Sequence, residues 1–352
     1  MKNIINKLFI TIFAIIVLLP LIFVSLRIKV DSKFSKNKID ANFESNFPLK
    51  EDMFKIFFYI KEDIFGVNAI PDKVIDFKNG WLFGGDHWSD NFSESMKYVN
   101  FKSEELSALE KNIEQKQVWS AKQKIKYFIA VAPNKETIYR ELIPLDVGRK
   151  ISKMEQIENL CQNNGVGYID LGKQFPKDKF SNLLYHKTDT HWTELAGYYA
   201  YLEILNQINK QLNLNIVAIP LSNFKVEKSD VIIGDLNEIR GKVTNENLLV
   251  MKPVNFELKY KEVGKKLEIP SPYENDPNLY ERRMISENKL KIMLLHDSFG
   301  GYMTKFLCNH FGEVLHIWKH EFNQDLIQKE KPDIIIQEFV ERNVDFLLDP
   351  QN

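Results

Sequence analysis

Five short apolar runs are the feature that most constrains the fold of this chain. They occupy residues 126–133 (KYFIAVAP), 166–171 (VGYIDL), 291–298 (KIMLLHDS), 313–318 (EVLHIW) and 333–339 (DIIIQEF). Runs this short and this apolar are typical of strands that are buried on both faces, as in parallel sheets. Segments with helical periodicity accompany them, at residues 103–120, 149–164, 194–210, 301–309 and 322–330. The alternation predicts an α/β domain with a mostly parallel central sheet flanked by helices.

A different pattern interrupts this alternation at about residues 212–288. Short runs such as NFKVEK and VNFELKYKEV are separated there by turn residues, which indicates a β-rich insertion. No linker-like stretch isolates the insertion, so we predict that residues 51–352 form one domain that contains it.

The N-terminal segment has a separate character. Residues 8–26 are uncharged and mostly apolar, about the length of one bilayer crossing. No small-x-small cleavage site follows, so residues 1–26 are predicted to be an uncleaved signal anchor, and residues 27–50 a polar juxtamembrane spacer. The basic residues after the apolar run favour the cytoplasm on a simple charge count. A large downstream domain can be exported despite them, and we expect a single-pass protein with an extracytoplasmic (periplasmic or extracellular) domain.

Charge and cysteine content narrow the functional classes. The formal net charge is −1, so nothing global indicates a nucleic acid partner. Cys161 and Cys308 fall on apolar faces of predicted helices. Export would permit a disulfide, but two buried thiols are the preferred interpretation. Neither cysteine has a nearby histidine or second thiol, which argues against a cysteine nucleophile or a zinc cluster.

The stretch LLHDSFGGYM places a serine where a buried strand ends. Ser298 would lie at the carboxyl edge of the sheet, where ligands bind in open α/β folds. Gly300 and Gly301 permit close approach of the backbone, and amides at a helix start can stabilise an oxyanion. The alternative is that Asp297 and Ser298 only cap the following helix.

The stretch HKTDTHWTELAGYY contains a second candidate group. Residues two apart in an extended segment project to the same side, so Asp189 and His191 can face one site. A carboxylate there would orient the imidazole while the other ring nitrogen faces a nucleophile. Thr193 stands at the N-cap of the following helix. A metal site built from His186, Asp189 and His191 is the alternative, but no HxH or HExxH pattern appears and the serine turn would have no role.

Three more polar residues are assigned near this edge. Asn134 and Lys135 directly follow the strand at 126–133 and are predicted to hold substrate or an oxyanion. In the stretch DFKNGWLFGGDHWSD, residues 81–83 are predicted to be a buried plug and Asp86 to lie near the site. An ordinary polar loop is the alternative for each of the three.

The order GWLF…D, AxPNKxxIY, TDTHW, GDL, HDSF and QEFVER resembles the AlgJ/AlgX family of alginate O-acetyltransferases, over about residues 50–345. The resemblance implies an SGNH-hydrolase-like fold. It makes Ser298 the nucleophile, His191 the general base and Asp189 the residue that orients the histidine. The Asp/His pair precedes the serine here, the reverse of ordinary SGNH enzymes, and triads are defined by geometry rather than by chain order.

The resemblance also implies an activity. Ser298 would carry an acetyl group to hydroxyls of an exported polysaccharide or cell-envelope glycan, and its backbone N–H, helped by Asn134 or Tyr302, would hold the oxyanion. A membrane-bound O-acyltransferase is the implied partner that supplies acetyl groups, and no cofactor or metal is expected. The same triad would serve a carbohydrate acetyl esterase, and a non-catalytic glycan-binding subunit is a further alternative.

Overall fold

The computed structural model describes most of the chain: residues 11, 14, 53, 56–242, 245–254, 257, 261–263, 280–284 and 290–351. The chain divides into two compact units, Met1–Ala69 and Ile70–Asn352. In the first unit the described residues include a π-helical turn at Tyr59–Ile64. The predicted anchor falls outside the described residues except for two positions, and the predicted spacer lies wholly outside them. No helix in the described part of the chain is long and apolar enough to cross a membrane.

The second unit contains the strands and helices that build the site. The strands are β1 (Val74–Asp76), β2 (Leu82–Gly84), β3 (Lys126–Ala132), β4 (Gly167–Asp170), β5 (Phe224–Ile233), β6 (Asn245–Pro253), β7 (Lys261–Val263), β8 (Tyr280–Met284), β9 (Lys291–Leu295), β10 (Glu313–Ile317) and β11 (Ile334–Val340). The α-helices are α1 (Asn91–Ser95), α2 (Ser103–Lys122), α3 (Lys135–Ile138), α4 (Lys153–Asn163), α5 (Glu194–Leu212), α6 (Asp235–Ile239), α7 (Gly301–Leu307) and α8 (Gln324–Glu330). Short 3₁₀ segments lie at Lys78–Gly80, Arg140–Leu142, Leu221–Asn223 and Glu341–Leu348.

The central sheet has seven strands in the order β4-β3-β11-β9-β10-β8-β7. The first five run parallel, and β8 and β7 add antiparallel strands at one edge. These five parallel strands are the five apolar runs predicted from the sequence. The expected α/β fold with a mostly parallel sheet is therefore confirmed.

Both faces of the sheet are covered, which is why its strands read as continuous apolar runs. Strand β3 shows the division: Phe128 and Ala130 face one core cluster, and Tyr127 and Ile129 face the other. Side chains of α5 and α7 pack in the first cluster, and side chains of α2, α4 and α8 pack in the second. The helices thus pack on both faces of the sheet and fix the positions of its strand ends.

The predicted insertion at 212–288 is rich in strands, but part of it belongs to the main sheet. Strands β5 and β6 form a separate antiparallel pair, whereas β7 and β8 continue the central sheet. The segment also contains helix α6, which the turn-rich sequence did not indicate. Only β7 and β8 among its described strands therefore extend the central sheet.

The two cysteines confirm the preferred interpretation. Both are free, buried thiols. Cys161 packs in the cluster on one face of the sheet and Cys308 in the cluster on the other, so the sheet itself separates them.

Candidate active site

Three neighbouring strands deliver polar residues to one edge of the sheet. Strands β3, β11 and β9 are adjacent and parallel, so their carboxyl ends meet at the same edge. Asn134 and Lys135 follow β3, Ser298 follows β9, and Arg342 follows β11. The structure thus gathers at one edge residues that lie up to about 200 positions apart in the chain.

The turn that carries Ser298 is held on both sides. The Asp297 carboxylate accepts hydrogen bonds from the backbone N–H of Phe299 and of Val340, each at 2.9 Å. The Trp192 indole donates to the Phe299 carbonyl at 3.2 Å. Asp297 therefore ties the serine turn to the end of β11, a larger role than the helix cap considered from the sequence.

A glycine is required in this turn. A Cβ at Gly300 would lie 2.4 Å from the His296 Cβ, inside van der Waals contact. The second glycine of the pair, Gly301, has open space around it and begins α7. The first glycine therefore serves packing behind the serine.

The loop at 186–191 is closed by an antiparallel bridge between Tyr185 and Trp192. Within it, Asp189 Oδ1 accepts a hydrogen bond from the His191 backbone N–H at 2.8 Å, a local turn in which an aspartate bonds two residues ahead. This turn, rather than extended backbone, brings the two side chains together. Thr193 occupies the N-cap of α5, but its hydroxyl donates to the Leu183 carbonyl at 2.9 Å.

Asp189, His191 and Ser298 form a continuous chain of hydrogen bonds. His191 Nε2 lies 2.8 Å from Ser298 Oγ, and His191 Nδ1 lies 2.7 Å from Asp189 Oδ1. Burial disfavours the charge on Asp189, but hydrogen bonds from His191 and from the Asp235 backbone N–H outweigh it and lower the pKa of the carboxyl. A carboxylate that is ionised at neutral pH and lies against Nδ1 keeps the proton there and leaves Nε2 free to accept one from the serine.

A second carboxylate, Asp235, lies close behind the first. Its Oδ2 is 3.6 Å from His191 Nδ1, and its two oxygens accept hydrogen bonds from the Thr190 N–H, at 2.7 Å, and from the Thr190 hydroxyl. Asp235 belongs to the GDL motif of the insertion. Sequence reasoning used that motif only as support for the resemblance, and did not select the aspartate.

Asp189, His191 and Asp235 are also the described residues whose ligand atoms cluster closely enough to suit a metal ion. His186, the third ligand considered from the sequence, does not belong to this group. Both nitrogens of His191 already have partners in the protein, and so do the oxygens of both carboxylates. These contacts favour a hydrogen-bonded triad at this position.

Lys135 holds the loop that carries Asp189 and His191. Its ammonium group donates to the backbone carbonyls of His186 and Lys187, each at 3.2 Å, and of Asp189 at 2.7 Å. The side chain is buried, and burial lowers the pKa of Lys135 to about 8, against the opposing effect of nearby carboxylates such as Glu136. The ammonium group thus binds the loop, whereas the sequence predicted that Lys135 would hold substrate or an oxyanion.

Replacing Lys135 by methionine tests this supporting role. Methionine matches the length of the lysine stem but leaves three loop carbonyls without their donor, so we expect turnover to fall about 100-fold through a displaced His191. Turnover of a chromogenic acetyl ester and thermal denaturation are measured together. The exposed Lys122→Met is the matched control. Wild-type turnover in Lys135→Met would contradict the role of Lys135 in holding the loop.

The insertion holds the same loop from the other side. Glu246 on β6 accepts hydrogen bonds from the backbone N–H groups of Lys187 and Thr188, at 2.8 and 2.9 Å. A Cβ at Gly234 would lie 2.1 Å from the Thr188 carbonyl oxygen, so only glycine permits this close approach. The insertion is therefore part of the scaffold of the site, a role that its sequence did not reveal.

The other residues selected from the sequence are placed as follows. Asn134 is fully buried, and its side chain donates to Ser95 Oγ at 3.0 Å and accepts from the Arg342 N–H at 3.3 Å, which differs from the substrate or oxyanion contact predicted for it. Asp86 accepts hydrogen bonds from the backbone N–H and the hydroxyl of Ser93 in α1. Burial raises the pKa of Tyr302 to about 12, so its phenol keeps a proton to donate.

A cavity of about 320 Å³ opens beside the triad. His191, Asp235 and Arg342 line it, together with Gly84, His87, Trp88, Ser89, Asn91, Thr190, Ile239 and Asn343. The Arg342 guanidinium lies 5.3 Å from the centre of the ring of Phe299, the residue that directly follows Ser298.

Sequence reasoning missed Arg342. Its position two residues beyond a buried strand, at the same edge as Ser298, was the available signal.

The geometry can support acyl transfer. The carboxylate orients the imidazole, and the imidazole accepts a hydrogen bond from the serine hydroxyl. This arrangement activates a serine as a nucleophile. The cavity, which His191 lines, offers space for a substrate beside the triad.

Comparison with known proteins identifies the family of this domain. Residues 74–267 match the family described as SGNH hydrolase-like domain, acetyltransferase AlgX. PatB1 from Bacillus cereus has a similar solved structure, with 16% identity, coverage of 77% of this chain and 97% of that chain, and a TM-score of 0.57. A DHHW family protein from Eubacterium siraeum shows 15% identity, coverage of 77% and 90%, and a TM-score of 0.53. At these identities the two structures support the fold alone.

No curated protein sequence matches the chain significantly. The family match spans more than half of the chain and includes the loop that bears Asp189 and His191. This chain belongs to the family of SGNH hydrolase-like acetyltransferase domains represented by AlgX.

Proposed function

We propose that this protein is a serine-dependent O-acetyltransferase that acts on hydroxyls of an exported polysaccharide or cell-envelope glycan. The observation that carries the proposal is the hydrogen-bonded chain from Asp189 through His191 to Ser298, with both distances at or below 2.8 Å. It stands in a domain whose family is one of acetyltransferases.

The first half-reaction would load the serine. His191 Nε2 takes the proton of the Ser298 hydroxyl while Oγ attacks the carbonyl carbon of an acetyl ester, giving a tetrahedral oxyanion. When this intermediate collapses, the bond to the donor oxygen breaks and His191 returns the proton to that oxygen. The product is acetyl-Ser298, and Asp189 stabilises the imidazolium formed on the way.

The second half-reaction would unload it. A glycan hydroxyl gives its proton to His191 and attacks the acetyl carbon, and collapse of the second intermediate returns the proton to Ser298. The Ser298 backbone N–H would bind the oxyanion in both steps. Arg342 would add a positive charge in the same cavity: in the described part of the chain no carboxylate lies within 4 Å of its guanidinium.

We further propose an extracytoplasmic location and a membrane-bound O-acyltransferase as the source of acetyl groups. The apolar run at 8–26 and the resemblance to the AlgJ/AlgX family support this arrangement.

A partition experiment tests transfer against hydrolysis. The protein is incubated with a chromogenic acetyl ester, with and without acceptor oligosaccharides, and acetylated products are followed by mass spectrometry. We expect acetylated oligosaccharide to accumulate and Ser298→Ala to abolish it. Release of acetate with no acetylated acceptor would indicate an esterase, and no reaction by a folded protein would indicate a glycan-binding subunit.

A further inference from the structure

The cavity beside the triad has one wall that the chemistry above does not use. The segment at 84–91, here called the Trp88 loop, joins β2 to α1 and contributes His87, Trp88 and Ser89 to the lining. Trp88 is 40% exposed even though it lines a concave surface that also reaches His191. The exposed part of the indole contributes nothing to the core and is therefore available to contact a ligand.

The exposure of Trp88 does not result from a loose loop. The N–H groups of Gly85 and His87 donate to the carbonyls of Lys73 and Asp72, at 2.8 and 2.9 Å. A Cβ at Gly85 would lie 2.2 Å from the Asp72 carbonyl oxygen, so the two backbones touch. The first half of the loop is therefore held against the backbone of residues 72 and 73.

Further contacts fix both ends of the loop. The Gly84 N–H donates to the buried Glu136 carboxylate at 2.6 Å, and the Asn91 side chain donates to the Gly84 carbonyl at 3.0 Å. Ser89 and Asp90 have φ of 54° and 55°, a left-handed conformation that L-residues adopt at a cost. Strain of this kind persists only where the surroundings enforce it, and it concentrates at binding sites.

The indole also has a fixed neighbour. The His87 ring meets the Trp88 ring edge to face, with centroids 4.8 Å apart and planes at 88°. This contact restrains the indole, which still lines the cavity and is partly open to solvent. A rigid aromatic surface binds at a low entropic cost because little side-chain freedom is lost.

We propose that the Trp88 loop is the acceptor subsite, in which the Trp88 ring stacks on the apolar face of the sugar whose hydroxyl is acetylated. The proposal rests on the acetyl transfer proposed above and adds the residue that selects a sugar over water. A sugar ring offers C–H groups on one face and hydroxyls at its rim, which matches a flat indole beside the polar side chains of Thr190, Asp235 and Arg342.

The partition of the acetyl-enzyme measures this role directly. Acetyl-Ser298 is discharged either to an oligosaccharide or to water, and the ratio of the two products does not depend on how much of the enzyme is active. In Trp88→Ala we expect this ratio to fall about tenfold, the equivalent of ~1.4 kcal/mol, because the stacking contact with the sugar ring is lost. Trp88→Phe keeps a ring and should recover most of the ratio.

Trp318 supplies the matched control. It is 55% exposed but does not line the cavity, so Trp318→Ala should leave the ratio at its wild-type value. An unaltered ratio in Trp88→Ala, or an equal fall in Trp318→Ala, would overturn the proposal.

A binding measurement separates this proposal from the proposed chemistry. Ser298→Ala protein is titrated in a calorimeter with four β-1,4-linked tetrasaccharides: those of glucose, N-acetylglucosamine, mannose and mannuronate. We expect at least one to bind, and Trp88→Ala in the same background to weaken its binding about tenfold. Failure of all four to bind, or undiminished binding in the double variant, would overturn the subsite. Binding without any acetyl transfer by the wild type would keep the subsite and overturn the transferase.

Discussion

Replacing Ser298 by alanine is expected to lower acetyl transfer and acetyl ester hydrolysis by about 10⁴-fold or more. The reason is that Ser298 Oγ, 2.8 Å from His191 Nε2, is the atom that would carry the acetyl group. The side chain is only half-buried, and the turn is held by Asp297 and Trp192 rather than by the hydroxyl. The fold should therefore survive the change. Initial rates with a chromogenic acetyl ester and thermal denaturation measure the two effects.

The control for this variant is Ser107→Ala, an exposed serine on α2, which should keep wild-type rates. If Ser298→Ala retained a substantial fraction of the activity, the nucleophile would have to be sought elsewhere in the chain.

Replacing Asp189 by asparagine is expected to reduce turnover by about 10⁴-fold, the size of effect seen when a triad loses the carboxylate that orients its histidine. An amide opposite Nδ1 can present its N–H there and favour the wrong tautomer of His191. The matched variant is Asp235→Asn, because Asp235 is the other carboxylate near Nδ1, at 3.6 Å instead of 2.7 Å. It should cost about tenfold, or ~1.4 kcal/mol.

Turnover numbers of the two variants, measured at several pH values, distinguish the two carboxylates. Equal losses would show that Asp189 and Asp235 share the orienting role. A larger loss in Asp235→Asn would reverse the assignment made from the distances.

The strands and the serine were predictable from the sequence because their signals are local. A strand covered on both faces, such as β3, has to be apolar throughout, and its end marks the sheet edge where Asn134 and Lys135 follow. The same argument placed Ser298 at the end of β9. Trp81, Leu82 and Phe83 are buried, as was predicted for residues 81–83.

The support of the site was not predictable, because it depends on contacts between distant segments. A lysine after a strand normally extends into solvent, and nothing near Lys135 in the sequence indicates that its ammonium binds the carbonyls of a loop about 50 residues away. Asp235 and Glu246 lie in a turn-rich insertion whose purpose becomes clear only when its strands are folded against the loop at 186–191.

The pairing of Asp189 with His191 was predicted for an incomplete reason. The alternation of side chains along extended backbone was the basis of the prediction, whereas the structure uses a local turn in which Asp189 binds both the backbone N–H and the ring of His191. The two geometries place the same pair of side chains together, so the sequence spacing correctly predicted that Asp189 and His191 lie close to each other. The predicted anchor lies almost wholly outside the described residues, and its role stays a prediction.

The most direct test of the account is mass spectrometry of the protein after brief exposure to an acetyl ester, followed by digestion and sequencing of the peptide that contains Ser298. We expect an increase of about 42 Da on Ser298, the mass of one acetyl group in a covalent intermediate. The increase should disappear when an acceptor oligosaccharide is added and should be absent from Ser298→Ala and His191→Ala. Acetylated oligosaccharide formed without any adduct on Ser298, or with the adduct on another residue, would contradict the role of Ser298 as the nucleophile.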